Sequence, residues 1–422
     1  VAFATQKGWL ISTADISNAY INSDIVCLMY TEQPPMEYLG GYEKPRSTHV
    51  LQLLRALYGT KQAGRLWNKH IHSTLLQLNF IQMTSDVCVY YKMRSDQDEF
   101  AIVLAVYVDD ILAASSDQDE LDNLWAGLEG RYKLRRSDGI DDFVGLQFDY
   151  SREDRTEKIH QTRYANETLQ KFGMQDCNPC RTPVPVGWSF NDAAVPLDQS
   201  TIQTYRAIVG SLMYLITSSR PDMYHLALLL SKGMASPTEE LMKLAKRGMR
   251  YLKHTLGDGI LFSKDETLIG YSDSDFAGPN FNRKSVTGFC FMFNGGAINS
   301  GSKQQPLVCL STCEAEYLAL SQTAKEAIYL RQLMQELRIW NKNEGVVLLG
   351  DNECANQLTR DPISHQRTKH IDLRYHHIRD LVEKDIVVVN KVHTDDNLAD
   401  LFTKPLPAER HGKLAKLVLG MG

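Results

Sequence analysis

The sequence predicts an α/β (α+β) protein of two or three domains, with mixed β-sheets and helices packed against them. Three observations carry this. Two apolar runs, FAIVLAVYV and ILAAS, flank Asp109–Asp110 within Phe100–Ala114 and read as a β-hairpin with two acids at its turn. Composition shifts to Pro, Gly and polar residues over Asn178–Pro196, which reads as a linker. Beyond it, three helical stretches give way to three strands and then to αβα units, the pattern of a mixed sheet.

The elements follow in order. Residues 8–30 read as strand, short helix and strand around Asp15, and a Pro/Gly-rich loop follows at Gln33–Pro45. Val50–Leu54 is strand-like. Ala63–Phe80 carries Trp67, Ile71, Leu75 and Leu78 at helical spacing. Asp119–Tyr132 is helical, Phe143–Tyr150 and Lys158–Gln161 pair as strands, and Tyr164–Phe172 is a helix. After the linker come helices at Tyr205–Ile216, Met223–Met234 and Thr238–His254, then a strand at Leu256–Ser263. Leu268–Ser272, Val286–Phe293 and Gly296–Gly301 are strands, and Ser311–Leu337 is a long amphipathic helix. Gly345–Leu349 and Ile386–His393 are strands. Asn352–Thr359, Ile371–Lys384 and Asn397–Thr403 are helices.

The 422 residues carry a formal net charge of −5, which by itself points neither to nor away from nucleic acid. The longest apolar stretches, Ile208–Ile216 and Leu226–Leu230, are too short to span a bilayer, so no membrane partner is expected. The eight cysteines are scattered. Cys177 and Cys180 form a C-x-x-C with no second pair beside it, and are read as incidental reduced thiols.

Two acidic constellations stand out. Asp15, Asp109 and Asp110 are carboxylates bracketed by apolar strands, which are costly to bury unless a divalent cation compensates them. An Asp-Asp β-turn with Asp15 as a helix N-cap reads the same residues without chemistry. In the last third, Asp273 ends a strand, Asp351 follows another, Asp400 lies in NLADLFTK, and Glu314 and Glu316 lie in STCEAEYLAL. Strand-end acids joined by a helix-borne Glu are what a two-metal nuclease needs. Ser311-x-x-Glu314 is a capping box, which gives Glu314 a structural task and leaves Glu316 for metal. Asp275 reads as a turn residue past the strand end. Arg367–Arg379 carries Arg, Lys and three His. It is either a solvated face or a grip on phosphates through Arg367, Lys369 and Arg374.

The motifs resemble a known family. Asp15 and Tyr107–Asp110 (Tyr-Val-Asp-Asp) resemble the palm motifs of reverse transcriptases, and LYGTKQAGRLWN (Leu57–Asn68) resembles the LYGLKQAPRAW signature of copia-type retrotransposons, departing from it at Thr60 and Gly64. FVGLQF (Phe143–Phe148) resembles a primer-grip hairpin. YSDSDFAG, STCEAEYLAL, GDNECANQL, RTKHIDLRYHHIRD and LADLFTKPL resemble the ribonuclease H domain of the same polyproteins.

The resemblance implies a reverse transcriptase palm (1–115) whose fingers segment lies upstream of Val1, a thumb and connection (116–265), a ribonuclease H domain (266–406) and a C-terminal tail (407–422). It implies RNA-directed DNA synthesis and cleavage of RNA in RNA–DNA hybrids. Asp15, Asp109 and Asp110 would hold one pair of magnesium ions, and Asp273, Glu316, Asp351 and Asp400 another, with manganese able to substitute. Tyr20 falls where retroviral enzymes place an aromatic gate against the ribose 2′-hydroxyl, a position more often Phe in copia-type enzymes. Gln62 and Tyr107 would touch nucleotide or template. The implied partners are RNA template, DNA primer, RNA–DNA hybrid, deoxynucleoside triphosphates and other Gag and Pol products, in a cytoplasmic virus-like particle with nuclear entry left open. Two rival readings are a catalytically silent nucleic-acid-binding fragment of a decayed element and an integrase-type transposase. Intact carboxylates in both constellations speak against the first, and Tyr-Val-Asp-Asp against the second.

Overall fold

The structure is a computed structural model that describes residues 1–33, 49–94, 99–190, 194–263, 267–278, 282–340, 343–360 and 372–422, without the side chains of 372–376. The loop expected at Gln33–Pro45 therefore lies outside the described residues beyond Gln33, as do Arg367 and Lys369 and the side chain of Arg374. The fold is mixed α/β, in two units: Gly8–Val144, and Val1–Lys7 with Gly145–Gly422. No helix among the described residues is long and apolar enough to cross a membrane.

The unit Gly8–Val144 is built on a six-stranded antiparallel sheet. Its strands are β1 (Leu10–Ile16), β2 (Ile81–Gln82), β3 (Val89–Met93), β4 (Phe100–Tyr107), β5 (Asp110–Ser115) and β6 (Leu134–Asp138), in the order β2-β3-β4-β5-β1-β6. Strand β4 is apolar without alternation because nearly all its residues are buried, as in a strand covered on both faces. Helix α1 (Ala63–Gln77) buries Trp67, Ile71 and Leu75 at helical spacing, and α2 (Gln118–Glu129) buries Leu121, Leu124, Trp125 and Leu128. Asp117 caps α2 by accepting from Asp119 N at 3.0 Å, and Trp125 Nε1 donates to Ser12 Oγ at 3.0 Å, tying α2 to β1. Strands β2, β3 and β6 were not foreseen. The first is two residues long, and β6 (LRRSD) is largely exposed and polar, so neither shows the alternation a reader looks for.

The second unit begins with antiparallel strands β7 (Leu146–Ser151), β8 (Thr156–His160) and β9 (Gly259–Phe262), with β8 between the others. Helices α3 (Gln199–Ser218), α4 (Tyr224–Lys232) and α5 (Glu239–His254) share one apolar core with Tyr205, Leu212, Leu226, Leu230, Met249 and Leu252. A fully buried ion pair sits beside it. Arg220 donates to both oxygens of Asp222 (2.9 and 2.7 Å), and Tyr251 OH donates to Asp222 at 2.7 Å.

The last sheet has the order β12-β11-β10-β13-β14, from β10 (Ile269–Asp275), β11 (Val286–Phe293), β12 (Gly296–Gln304), β13 (Val346–Gly350) and β14 (Val387–Lys391). The pairs among β10, β11 and β12 are antiparallel, whereas β10–β13 and β13–β14 are parallel. Phe291 and Phe293 pack with α6 (Thr312–Glu336) and α8 (Asp372–Glu383), while Cys290 packs with Leu401, Phe402 and the helix α10 (Ala408–Val418). Both faces of β11 are thus covered, which is why FCFMF reads as one apolar run. Strand β10 runs to Asp275, not to Ser272 as its apolar pattern predicts. Ser272, Asp273 and Ser274 are polar but buried, and the ladder to β11 continues through Asp275↔Val286.

Candidate active sites

In the unit Gly8–Val144 three aspartates lie where β1 runs against the β4–β5 hairpin, though their oxygens do not all come within 4.8 Å of one another. Asp15 stands directly opposite Asp110 across the β1–β5 ladder, and Ile16 N donates to Asp109 O at 2.8 Å. Tyr107 pairs with Asp110, so Val108 and Asp109 form a two-residue turn. Val108 has φ 56°, a left-handed conformation that is strained for a β-branched residue. Its carbonyl accepts from Trp67 Nε1 at 2.5 Å, so α1 holds the turn in place. Burial first, then Asp109 and Asp15, raise the Asp110 carboxyl above its ordinary range.

Tyr20, in a short 3₁₀ turn (Ala19–Asn22), lies 4.3 Å centroid to centroid from Tyr58. The Tyr58 phenol is raised by burial and then by Asp109, Tyr20 and Asp15, which ties this aromatic pair to the acids. Tyr107 is 60% exposed beside them. Gln62 directly precedes α1, and its amide donates to the Met29 sulfur and, at 3.6 Å, to the Cys27 sulfur. Thr60, a departure from the family signature, closes its own turn by donating to Leu57 O at 2.8 Å.

In the other unit, Asp273, Asp351 and Asp400 bring ligand oxygens within 4.8 Å of one another. Asp273 lies on β10, Asp351 just past β13, and Asp400 opens the short helix α9 (Asp400–Thr403). The approach of α9 depends on Gly288, which faces Asp273 across the β10–β11 ladder. A Cβ there would sit 2.6 Å from Thr403 Cγ2, 2.8 Å from Phe402 Cβ and 2.9 Å from Ala399 O. Asn397, fully buried, donates to Ser272 O at 3.0 Å and fixes the chain entering α9.

Glu316 is 7% exposed on the first turns of α6 and stands beside these acids rather than among the three. Burial, then Asp273 and Asp351, push its carboxyl up to about 10, against Lys404 and the Ser274 N–H. Burial and Asp273 likewise push Asp400 up to about 7, against Lys404 and Arg410. Four acids so placed repel one another strongly. A hard divalent cation on carboxylate oxygens is the compensation their chemistry fits.

Sequence reading missed several residues here. Lys404 pairs with Asp400 at 2.7 Å and with Asp273 at 3.4 Å, Arg410 pairs with the other Asp400 oxygen, and Thr403 donates to Asp273. The one available signal was Lys404, four residues after Asp400 in a helical stretch. Gln305 donates to Ser274 Oγ (3.3 Å), Thr287 Oγ1 (3.0 Å) and Ala315 O (2.9 Å), locking the start of α6 to the sheet. Glu314 behaves as a cap, with a shift of partner. Ser311 Oγ accepts from Glu314 N at 3.1 Å, but the Glu314 carboxylate accepts from Leu310 N at 2.6 Å, one residue upstream of the cap. Asp275 is the last residue of β10, not a turn residue, and burial raises its carboxyl.

A family model described as reverse transcriptase (RNA-dependent DNA polymerase) matches residues 1–186. The retrovirus-related Pol polyprotein from transposon TNT 1-94 of Nicotiana tabacum is 34% identical over 421 residues, 97% of this chain and 31% of that polyprotein. The corresponding polyprotein from transposon RE1 of Arabidopsis thaliana is 34% identical over 406 residues, 96% of this chain and 27% of its own length. The chain therefore spans about a third or less of these relatives. Among solved structures, RNase H1 from the halophilic archaeon Halobacterium salinarum aligns over 32% of this chain and 94% of its own, at 18% identity and a TM-score of 0.25.

Proposed function

Because the chain belongs to the reverse transcriptase family of copia-type retrotransposon Pol polyproteins, we propose that it carries two phosphoryl-transfer centres. One makes DNA on an RNA or DNA template. The other cleaves the RNA strand of RNA–DNA hybrids. The observation that carries this reading is the convergence of Asp273, Asp351 and Asp400 within 4.8 Å, with Glu316 buried beside them. A catalytically silent binding fragment has no use for four mutually repelling acids in one place.

Asp15, Asp109 and Asp110 hold divalent metal in the first centre, and Asp273, Glu316, Asp351 and Asp400 in the second. Bound there, magnesium, or manganese in its place, supplies Lewis acidity to the phosphoryl group and its entering and leaving oxygens. The side chains supply position and charge. Tyr20 backs the sugar of the incoming deoxynucleoside triphosphate, and its ring, steadied by Tyr58, excludes a 2′-hydroxyl. Gln62 and Tyr107 contact nucleotide or template. In the second centre Lys404 and Arg410 favour the ionised form of Asp400, opposing burial and Asp273, which still leave its carboxyl raised to about 7. Arg367, Lys369 and Arg374 grip hybrid phosphates as point charges and forks. The RNA template, DNA primer and other Gag and Pol products meet the chain in a cytoplasmic virus-like particle.

Primer extension on an RNA template and hydrolysis of a labelled hybrid, each with magnesium, test the assignment. Asp110→Asn is expected to abolish extension while hydrolysis continues. Asp273→Asn is expected to do the reverse. Loss of both activities in either variant would contradict two separate centres.

A further inference from the structure

The thiols of Cys313 and Cys354 stand with their sulfurs 2.7 Å apart. Unbonded heavy atoms rest farther away, at about 3.5–4 Å for carbon, while a disulfide bond measures about 2.05 Å. Cys313 is the second residue of α6 and lies three residues before Glu316. Cys354 is the second residue of α7 (Glu353–Leu358) and lies three residues after Asp351. The two sulfurs therefore join α6, which carries Glu316, to the start of α7, which directly follows Asp351 and Asn352. All eight cysteines are free thiols, and of this pair Cys354 is exposed while Cys313 is half-buried.

We propose that Cys313 and Cys354 form a reversible disulfide that switches off the hydrolytic centre. This rests on the reading of Asp273, Glu316, Asp351 and Asp400 given above. The oxidant is a peroxide. The exposed Cys354 thiolate attacks one peroxide oxygen, giving a sulfenic acid and releasing hydroxide, which takes up the thiol proton as water. The Cys313 sulfur then attacks the sulfenic sulfur, the S–S bond forms, and the S–O bond breaks to release a second water. Two thiols and one hydrogen peroxide thus become one disulfide and two waters, with two electrons passing to the peroxide. Thiol reductants reverse the step by exchange.

The geometry also gives the direction of the effect. Glu316 is not among the three acids whose oxygens already lie within 4.8 Å. To share a cation with them, Glu316 must move relative to Asp351, either by rotating its own side chain or by a shift of the first turn of α6. A covalent link from Cys313 to Cys354 opposes that shift. Inside cells such disulfides are transient and sensing in kind, which suits a link that forms at an exposed sulfur.

The test uses the full chain, reduced and then treated with hydrogen peroxide. Peptide mapping by mass spectrometry is expected to find Cys313 and Cys354 joined with loss of two hydrogens. Hydrolysis of a labelled RNA–DNA hybrid should fall roughly tenfold or more, the size seen when groups supporting metal ligands are altered. Dithiothreitol should restore it. Cys354→Ser and Cys313→Ser should keep their activity through the same treatment. Absence of the linked peptide, or a linked protein that cleaves as fast as the reduced one, overturns the proposal. The magnesium-induced rise in melting temperature is measured alongside. If the reduced chain cleaves nothing, the functional reading fails by itself. The link is then judged by whether it lowers that magnesium response, and an unchanged response overturns it.

Discussion

Glu314 and Glu316 lie two residues apart on one helix and meet different surroundings. Glu314 closes a reciprocal cap with Ser311 and Leu310 N, and Glu316 is buried against Asp273 and Asp351. Glu316→Gln removes the negative charge that Glu316 would present to a bound cation. Hydrolysis should fall by orders of magnitude while the metal-free melting temperature holds or rises. Glu314→Gln should leave both intact, and Glu314→Ala should lose about 0.5–2 kcal/mol of stability without loss of cleavage. The raised carboxyls also set a pH dependence. Glu316 at about 10 and Asp400 at about 7 keep their protons in the fold where the unfolded chain would release them. Their contribution to stability is thus complete below the ordinary carboxyl range and is lost as pH rises through those values. The metal-free melting temperature should therefore fall from about pH 5 to about pH 9 more steeply than in Glu316→Gln, and excess magnesium should flatten the curve. Scanning calorimetry across that range checks this, and a wild-type slope matching the variant's would remove the electrostatic account. The capping box was legible because its two partners lie three residues apart. Arg410 and Thr403 were not, because their tasks exist only once α9 and α10 pack against β10.

At the scale of elements, each centre rests on one close approach. In the unit Gly8–Val144 it is Trp67 Nε1 on the carbonyl of Val108, which keeps a strained valine in the turn that presents Asp109 and Asp110. Trp67→Phe keeps most of the apolar volume and loses that bond. DNA synthesis should drop more than stability does, and an unchanged extension rate would show that the turn holds itself. In the other unit the approach is α9 over Gly288. Gly288→Ala places a methyl within 3 Å of Thr403, Phe402 and Ala399. Overpacking of this kind costs about 1–3 kcal/mol, and it should displace Asp400 and slow hydrolysis as well. The hairpin Phe100–Ala114 could be read from sequence because apolar runs on both sides of two acids leave few alternatives. Strand β10 was read three residues short, because Ser272, Asp273 and Ser274 break the apolar pattern that marks a strand. Their burial comes from α6 and α9, which no local window contains.

Across the whole molecule, family was more legible than architecture. The acids, spaced along the chain in order, pointed to two metal centres, and strings around them to one family. The polar supports that hold those acids were invisible, since Gln305 and Asn397 are unremarkable in sequence and act through tertiary hydrogen bonds. Hybrid binding should depend steeply on salt despite the net charge of −5, because phosphate contacts release counterions. Replacing Arg367 or Lys369 by Ala should lower the slope of log affinity against log salt by about one each. A flat profile in the parent chain would remove their phosphate role. The most direct test is hydrolysis of a labelled RNA–DNA hybrid with magnesium by the parent chain and by Asp273→Asn, Glu316→Gln, Asp351→Asn, Asp400→Asn and Asp110→Asn. The first four are expected to lose cleavage by orders of magnitude with folding intact, and Asp110→Asn to cleave like the parent. Cleavage that survives in any of the four, or disappears in Asp110→Asn, would contradict the placement of the hydrolytic centre.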